Sequence, residues 1–240
     1  MRHSSINGIV LKSINFKDAD KIYSVLTREL GKISVMGRGV RKISSKRAGN
    51  LDTLNLISAK IYDNGKGLYQ VDEVKTVNSF INIKKSYELS KNAYYLVEIV
   101  HKTLEEGADS EEVLNLLGYC LKKLSTDPER TSEIISFFQL RFMKVIGYDL
   151  NTDFCIRCGN NIPEELSRYN LDLDRGGFYC GNCNGRGNPV DQEIFNWIKR
   201  AKRLDFSKIE KISNVELLKK ITSGFTHSKL ESKFKSLELI

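Results

Sequence analysis

Short runs in which apolar and polar residues alternate fill the first eighty positions of this 240-residue chain. Polar turns separate the runs, and the last turn contains Asn64-Gly65, a pair that readily adopts the positive φ of a tight hairpin. The five runs lie at 6–14, 21–28, 33–40, 54–62 and 68–77. Five short strands, with a polar or helical insertion after the third, are typical of a small barrel of the OB type. The composition alone would also permit an SH3-like barrel.

From residue 83 onward the apolar positions recur at helical spacing. Three such segments end near residues 104, 124 and 146, and their short connections predict an antiparallel bundle. A glycine-rich stretch follows, and then two more helical segments, the first with Trp197 and the second starting near Ser213. The pattern predicts an α+β chain with an OB-type β-barrel domain at 1–80 and an α-helical domain at 81–240. A separate module at 151–188 is inserted in the helical domain.

Positive charge is concentrated in the barrel region. Residues 1–80 carry 14 basic and 7 acidic side chains, whereas residues 81–150 carry 9 and 11. A one-sided basic surface attracts polyanions, of which nucleic acid is the commonest in a cytoplasm. The first residues lack the apolar run of a secretory signal, and no stretch is apolar enough for a membrane span. We therefore expect a cytoplasmic protein.

The strongest local motif is a pair of Cys-x-x-Cys sequences, Cys155/Cys158 and Cys180/Cys183, with 21 residues between them. Two such knuckles complete a tetrahedral site of four thiolates, for which Zn²⁺ is the usual occupant. Four thiolates leave no open position for water, so the predicted zinc is structural rather than catalytic. Two disulfides are the alternative, but they need an oxidising compartment that nothing else in the sequence indicates.

The basic segment with the most cationic residues directly follows the third predicted strand. It runs from Gly37 to Arg47, and its cationic residues are Arg38, Arg41, Lys42, Lys46 and Arg47. We predict that these five bind DNA phosphates, with support from Lys12, Lys21 and Lys32 on the strands. Four aromatic residues nearby could either stack on bases or pack in the core: Phe16, Tyr23, Tyr62 and Tyr69. A solvated loop is the alternative for the basic run.

No catalytic constellation is visible. The basic segment lacks the Gly-Lys-Ser/Thr ending of a nucleotide-binding phosphate loop, and no histidine is paired with a nucleophile. We therefore predict a binding protein rather than an enzyme. A second basic stripe, 199–203, could bind either nucleic acid or an acidic peptide. The alternative function is a protein-interaction adaptor, in which the helical domain binds an acidic partner tail and DNA contact is incidental. A solvated helix face is the simpler interpretation of that stripe.

Several motifs, in the same order along the chain, resemble those of one family. They are Gly8-Ile9-Val10-Leu11-Lys12, Leu26-Thr27-Arg28-Glu29-Leu30-Gly31-Lys32, Arg38-Gly39-Val40-Arg41-Lys42, Phe137-Phe138-Gln139-Leu140-Arg141, Cys155-x-x-Cys158-Gly159 and Lys235-Ser236-Leu237. Together they resemble the family of bacterial DNA repair protein RecO over essentially the whole chain.

This resemblance implies a recombination mediator, with an OB fold, a helical domain and a zinc-finger module. It implies binding of single- and double-stranded DNA, annealing of complementary strands, and a nucleoid-associated location in the cytoplasm. It further implies RecR and the C-terminal tail of single-stranded DNA-binding protein as partners, and a role in loading RecA at gaps. All four cysteines of the zinc motif are present in this sequence.

Overall fold

The computed structural model describes residues 3–43, 45, 47–63, 65, 68–108, 110–183, 187–203 and 209–230. The chain forms two compact units, of which the first runs to Pro128 and the second begins at Glu129. The first unit therefore includes the barrel together with the first helices that follow it. The division into domains at 1–80 and 81–240 stays a prediction.

The barrel is closed, and its strands follow the order β1-β2-β3-β5-β4. Their bounds are β1 (His3–Phe16), β2 (Asp20–Thr27), β3 (Gly31–Gly37), β4 (Leu56–Asp63) and β5 (Tyr69–Asn78). The long β1 pairs with β4 through its first half and with β2 through its second half. This arrangement confirms the predicted OB-type barrel. The β4–β5 hairpin also forms, but Asn64 of its predicted turn lies outside the described residues.

The barrel interior is filled by the alternate residues of each strand, as the two-residue period of a strand requires. The buried apolar cluster comprises Ile6, Val10, Tyr23, Val25, Ile33, Val35, Val40, Leu51, Ile57, Ala59, Ile61 and Val71. Two of its members, Val40 and Leu51, belong to the connection after β3 rather than to a strand. That connection forms turns in its described residues, and its apolar side chains complete the barrel core.

Three helices follow the barrel within the described part of the first unit: α1 (Ile81–Lys84), α2 (Tyr87–Thr103) and α3 (Glu111–Thr126). The Ser86 hydroxyl begins α2 by accepting from the N–H of Leu89 at 3.3 Å. The α2–α3 connection then covers the early part of β3, where the N–H of Gly107 donates to the carbonyl oxygen of Lys32 at 2.9 Å. This contact fastens the helices to the barrel.

The second unit contains α4 (Thr131–Val145), β6 (Arg168–Asp172), β7 (Gly177–Tyr179), β8 (Asn188–Asp191), α5 (Gln192–Ala201) and α6 (Val215–Leu230). The predicted antiparallel bundle is wrong, because α2 and α3 pack together in the first unit while α4 packs with α5 and α6. Ten of the fifteen α4 residues are buried, including the consecutive pair Phe137-Phe138. A helix buried on most sides needs neighbours on more than one face.

The glycine-rich module and the residues directly after it form a small sheet that the sequence did not predict. β6 lies between β7 and β8, and both pairings are antiparallel. Tyr169 of β6 stacks on Phe195 of α5 with ring centroids 3.8 Å apart, and Phe178 of β7 meets the Phe195 ring edge-on at 5.0 Å. The module therefore obtains its apolar core from α5, which follows it in sequence. None of the described helices combines the length and apolar character needed to span a membrane.

Gly31 provides a test of how the first unit is assembled. Its φ is +68°, and a Cβ atom at this position would lie 2.2 Å from the carbonyl oxygen of Ala108 in the α2–α3 connection. Because both the backbone angle and the contact exclude a side chain, we expect Gly31→Ala to lower the free energy of unfolding by about 2–4 kcal/mol. Urea unfolding followed by circular dichroism measures this change.

Gly118→Ala is the matched control. Gly118 lies inside α3, and a Cβ atom there would be 3.8 Å from Ile9 Cδ1, an ordinary contact. Since alanine favours the helix interior by about 1 kcal/mol over glycine, this variant should be as stable as the unsubstituted protein or more so. Equal destabilisation by the two substitutions would contradict the close approach at Gly31.

Candidate nucleic-acid interface and metal centre

The basic segment leaves the barrel at the end of β3 and folds back onto the β1–β2 turn. The N–H of Arg41 donates to the carbonyl oxygen of Ala19 at 2.9 Å. The N–H of Gly39 donates to Asp20 Oδ1 at 2.8 Å. The Arg41 guanidinium also donates through Nη1 to the carbonyl oxygen of Lys17, at 3.2 Å. Three hydrogen bonds therefore hold the segment against the turn.

We call the surface formed by residues 12–21 and 37–43 the hairpin–loop surface. It carries six cationic side chains against two carboxylates, and one of those carboxylates, Asp20, already accepts the N–H of Gly39. The six are Lys12, Lys17, Lys21, Arg38, Arg41 and Lys42. All of them are exposed except Lys21, which is half-buried. This excess of exposed positive charge suits a polyanion.

The last two cationic residues of the predicted basic segment, Lys46 and Arg47, are not part of the hairpin–loop surface. Lys46 lies outside the described residues. Arg47 is half-buried, and its Nη1 donates to the carbonyl oxygen of Val71 on β5 at 3.1 Å. Arg47 therefore anchors the connection to the barrel wall, so that Arg38, Arg41 and Lys42 are the described residues of this segment that present their charge to solvent.

Lys32 is the predicted site residue whose environment departs most from the expectation. Its side chain is buried, with 8% of the residue exposed. The ammonium donates to the carbonyl oxygens of His101, at 2.9 Å, and of Leu104. Burial lowers the pKa of Lys32, an effect opposed by the nearby carboxylates of Glu106 and Glu105. Lys32 thus caps the C-terminus of α2 and does not belong to the hairpin–loop surface.

The four aromatic candidates separate into two pairs. Tyr23 is buried in the barrel, where burial and the neighbouring Asp52 raise its pKa to about 12. Tyr69 packs against the same core. Phe16 and Tyr62 are each half-exposed. Of these two, Phe16 lies on the hairpin–loop surface, with the Lys17 ammonium 5.4 Å from the centre of its ring.

The second basic stripe is neutralised within its own unit. Its members form ion pairs with acidic residues of the cysteine module and of the stretches on either side of it. The pairs are Lys199–Glu164 at 2.6 Å, Arg200–Glu210 at 2.8 Å, Lys202–Asp149 at 2.9 Å, and Arg203–Asp153. Lys202 is almost fully buried. The stripe therefore fastens α5 to its surroundings, a role that accounts for its charge without a partner.

The four predicted metal ligands lie together. The sulfur atoms of Cys155, Cys158, Cys180 and Cys183 are all within 4.8 Å of one another, and those of Cys158 and Cys180 are 3.6 Å apart. A tetrahedral zinc site with bonds of about 2.3 Å places its sulfurs roughly 3.8 Å apart. Spacing and donor type thus fit a structural metal. Among the described residues, this is the one cluster of three or more candidate metal ligands.

Hydrogen bonds between backbone groups explain how the two knuckles meet. The N–H of Ile156 in the first knuckle donates at 3.1 Å to the carbonyl oxygen of Phe178 on β7, the strand that leads into the second knuckle. Although burial acts to raise the pKa of Cys155, N–H groups of both knuckles donate to its sulfur and lower that pKa to about 6. Hydrogen bonding with the sulfurs of Cys158 and Cys180 raises the pKa of Cys183 to about 12. A cation would replace the protons that these sulfurs otherwise share.

Comparison with known proteins agrees with this geometry. The family model for the N-terminal part of recombination protein O matches residues 1–80, and the model for its C-terminal part matches residues 86–238. The chain belongs to the recombination protein O family. This membership supports a role in DNA repair and recombination.

Curated members of the recombination protein O family align over nearly the whole chain. DNA repair protein RecO of Thermoanaerobacter sp. (strain X514) is 28% identical over 100% of this chain and 98% of its own length. The protein of the same name from Clostridium perfringens is 28% identical over 97% of this chain and 95% of its own length. The protein of the same name from Acetivibrio thermocellus is 26% identical over 100% of this chain and 97% of its own length.

Sequence reasoning missed three residues of the hairpin–loop surface: Lys17, Ile14 and Ile43. Lys17 is exposed at the hairpin tip. Ile14 is 51% exposed and Ile43 fully exposed. For Ile14 the signal was available, because it is two residues from both Lys12 and Phe16 on a strand. The exposure of Ile43 could be found only in the folded protein, because a loop has no periodic pattern of apolar and polar residues from which exposure can be predicted.

Substitution of Lys32 tests its assignment to the barrel–helix contact. We expect Lys32→Gln to leave the affinity for single-stranded DNA within about twofold, while lowering the free energy of unfolding by about 1–3 kcal/mol as two carbonyl oxygens lose a charged donor. Fluorescence anisotropy and urea unfolding measure the two effects. Lys75→Gln, at an exposed lysine of β5, serves as the control and should change neither. A large loss of DNA affinity in a folded Lys32→Gln protein would return Lys32 to the DNA-binding set.

Proposed function

We propose that this chain is a recombination mediator that binds single- and double-stranded DNA and anneals complementary strands without catalysing a covalent step. The observation that carries the proposal is the hairpin–loop surface, with six cations against two carboxylates at one end of an OB-type barrel. Membership in a family that includes DNA repair proteins supports DNA as the ligand of that surface.

Arg38, Arg41 and Lys42 would bind phosphates, and Lys12, Lys17 and Lys21 would extend the contact along the hairpin. Such contacts release condensed counterions, so affinity falls steeply with salt. Phosphate contacts carry no sequence information, and little sequence preference follows. The same neutralisation reduces the repulsion between two complementary strands, which is what annealing needs.

We propose RecR and the C-terminal tail of single-stranded DNA-binding protein as partners, and loading of RecA at gaps as the outcome. These proposals rest on family membership, and we assign no residue to them. The stripe on α5, which an adaptor for an acidic tail would use, is paired with acids of its own unit. No observation therefore favours the adaptor over the mediator.

For the four-cysteine cluster we propose one structural zinc ion. Cys155, Cys158, Cys180 and Cys183 would hold it, and when bound it would neutralise thiolate charge and tie the two knuckles together. Four protein ligands complete the tetrahedron, so the ion would stabilise the module rather than activate water. The module would then present Tyr169 and Phe178 to Phe195 of α5 in a fixed arrangement.

The DNA-binding proposal is tested by neutralising the exposed cations of the loop. We expect the triple variant Arg38→Gln, Arg41→Gln, Lys42→Gln to bind a single-stranded oligonucleotide about tenfold more weakly near 0.1 M salt. The slope of log affinity against log salt should decrease by about 2, because each lost phosphate contact of a single strand accounts for about 0.7. Fluorescence anisotropy across a salt titration of the full chain measures both quantities.

The matched control removes three exposed lysines elsewhere in the first unit: Lys75→Gln, Lys85→Gln, Lys122→Gln. It lowers the net charge by the same amount, so it reports the effect of charge in general. The proposal requires the loop variant to lose much more affinity than the control. Equal losses would mean that DNA responds to net charge and not to the hairpin–loop surface.

Elemental analysis tests the metal proposal. We expect about one zinc per chain, loss of that zinc in Cys158→Ser, and retention in Cys120→Ala, since Cys120 is buried in α3 and is not one of the four clustered cysteines. Chelation should lower the melting temperature of the unsubstituted protein but leave that of Cys158→Ser nearly unchanged. Purified protein with reduced cysteines and no zinc would refute the assignment.

A further inference from the structure

Three apolar side chains are exposed on the hairpin–loop surface, among its cations. Ile14 of β1 is 51% exposed, Ile43 of the loop is fully exposed, and Phe16 at the hairpin tip is half-exposed. Isolated exposed apolar residues are ordinary on proteins, but three on one small basic surface form a group with a shared environment.

The register of the hairpin explains why Ile14 and Phe16 belong together. Side chains two residues apart on a strand project from the same face, so Lys12, Ile14 and Phe16 form one row along β1. Opposite this row, Ile22 pairs with Ile14 across the β1–β2 ladder, and Asp20 pairs with Phe16. The row therefore combines a cation, an aliphatic side chain and an aromatic ring on one face of β1.

The loop brings Ile43 to the same end of the barrel. The hydrogen bonds from Gly39 and Arg41 to the β1–β2 turn hold the loop against the hairpin, and Ile43 follows two residues after Arg41. The Lys17 ammonium, 5.4 Å from the centre of the Phe16 ring, leaves the ring half-exposed. Apolar and cationic groups of the hairpin and the loop therefore lie at the same end of the barrel.

A single strand of nucleic acid has the complementary chemistry. Its phosphates need cations, and its unstacked bases offer apolar faces that stack on aromatic and aliphatic side chains. A duplex offers the phosphates but keeps its base faces inside the stack. A purely apolar protein partner would leave the six cations without counter-charges, and a purely acidic one would leave the apolar side chains without contacts.

We propose that Phe16, Ile14 and Ile43 contact the faces of unpaired bases while the neighbouring cations bind the phosphates, and that the hairpin–loop surface therefore binds single strands more tightly than duplex. The inference rests on the proposed DNA-binding function and adds the groups that distinguish single strand from duplex. Contacts to base faces leave the pairing edges free, so a bound strand can still meet its complement.

The test compares three ligands of equal length: a single strand, the same strand with abasic sugars, and a duplex. We expect Phe16→Ala to weaken single-strand binding by about five- to tenfold, a loss within the range of one base–aromatic stack. Binding of the abasic strand and of the duplex should change less than twofold, because neither presents a base face. Fluorescence anisotropy with the full chain measures all three affinities.

Two further variants separate stacking from general apolar contact and from folding defects. Phe16→Trp should retain single-strand affinity, whereas Ile14→Ser combined with Ile43→Ser should lose it in the same ligand-selective manner. Tyr87→Ala, at an exposed aromatic residue of α2, is the matched control and should change no affinity. Thermal unfolding confirms that each variant is folded.

The outcomes distinguish this inference from the proposed function. If Phe16→Ala weakens all three ligands equally in a folded protein, or weakens none, selective base contact is wrong. If the loop charge variant loses affinity in either case, DNA binding itself stands. If the loop charge variant and Phe16→Ala both leave DNA binding unchanged, the DNA-binding surface lies elsewhere. Loss of self-association in Phe16→Ala, with unchanged DNA binding, would assign the apolar group to a second copy of the chain.

Discussion

β1 pairs with two neighbours at once, with β4 along its first half and with β2 along its second, and this double pairing closes the barrel. Closure removes the free edges that a sheet would otherwise expose. It also fixes where the rest of the first unit can attach. The β1–β2 pairing continues to Phe16 and Asp20, so the hairpin reaches the end of the barrel where β3 finishes. The basic loop meets the hairpin there because Asp20 accepts the N–H of Gly39.

The second unit is organised around a different constraint. The cysteine module has a small sheet and few apolar residues of its own, and it borrows a core by stacking Tyr169 on Phe195 of α5. Ion pairs from Lys199 and Arg203 to acidic residues of the module add a polar attachment to the same helix. The four sulfurs of the two knuckles lie within 4.8 Å of one another, where a bound metal ion would tie the knuckles together. Packing, ion pairs and the sulfur cluster thus lie at different parts of one small structure.

How far the sequence predicts the molecule depends on how local each signal is. The Cys-x-x-Cys spacing predicts the cluster of sulfurs, because each knuckle is a local turn and only their meeting is long-range. Alternation predicts the five strands for the same reason. The environment of Lys32 is not predictable in this way, since its carbonyl partners, His101 and Leu104, are about seventy residues away, at the C-terminal end of α2. The bundle prediction failed because helical spacing locates a buried face but does not identify its neighbour.

The two basic stretches show that a local cluster of cations does not by itself predict a binding surface, whereas the balance of basic and acidic residues over a whole region is informative. The stripe at the end of α5 is denser in cations than the loop after β3, yet each of its four cations is paired with an acid of its own unit. Residues 151–240 contain 15 basic and 12 acidic side chains, so most cations there can find a partner within the unit. Residues 1–80 contain 14 and 7. The acids of the barrel region can therefore neutralise only half of its cations. The cations at the hairpin and the loop project from the end of the barrel, where a phosphate backbone can supply the missing negative charge.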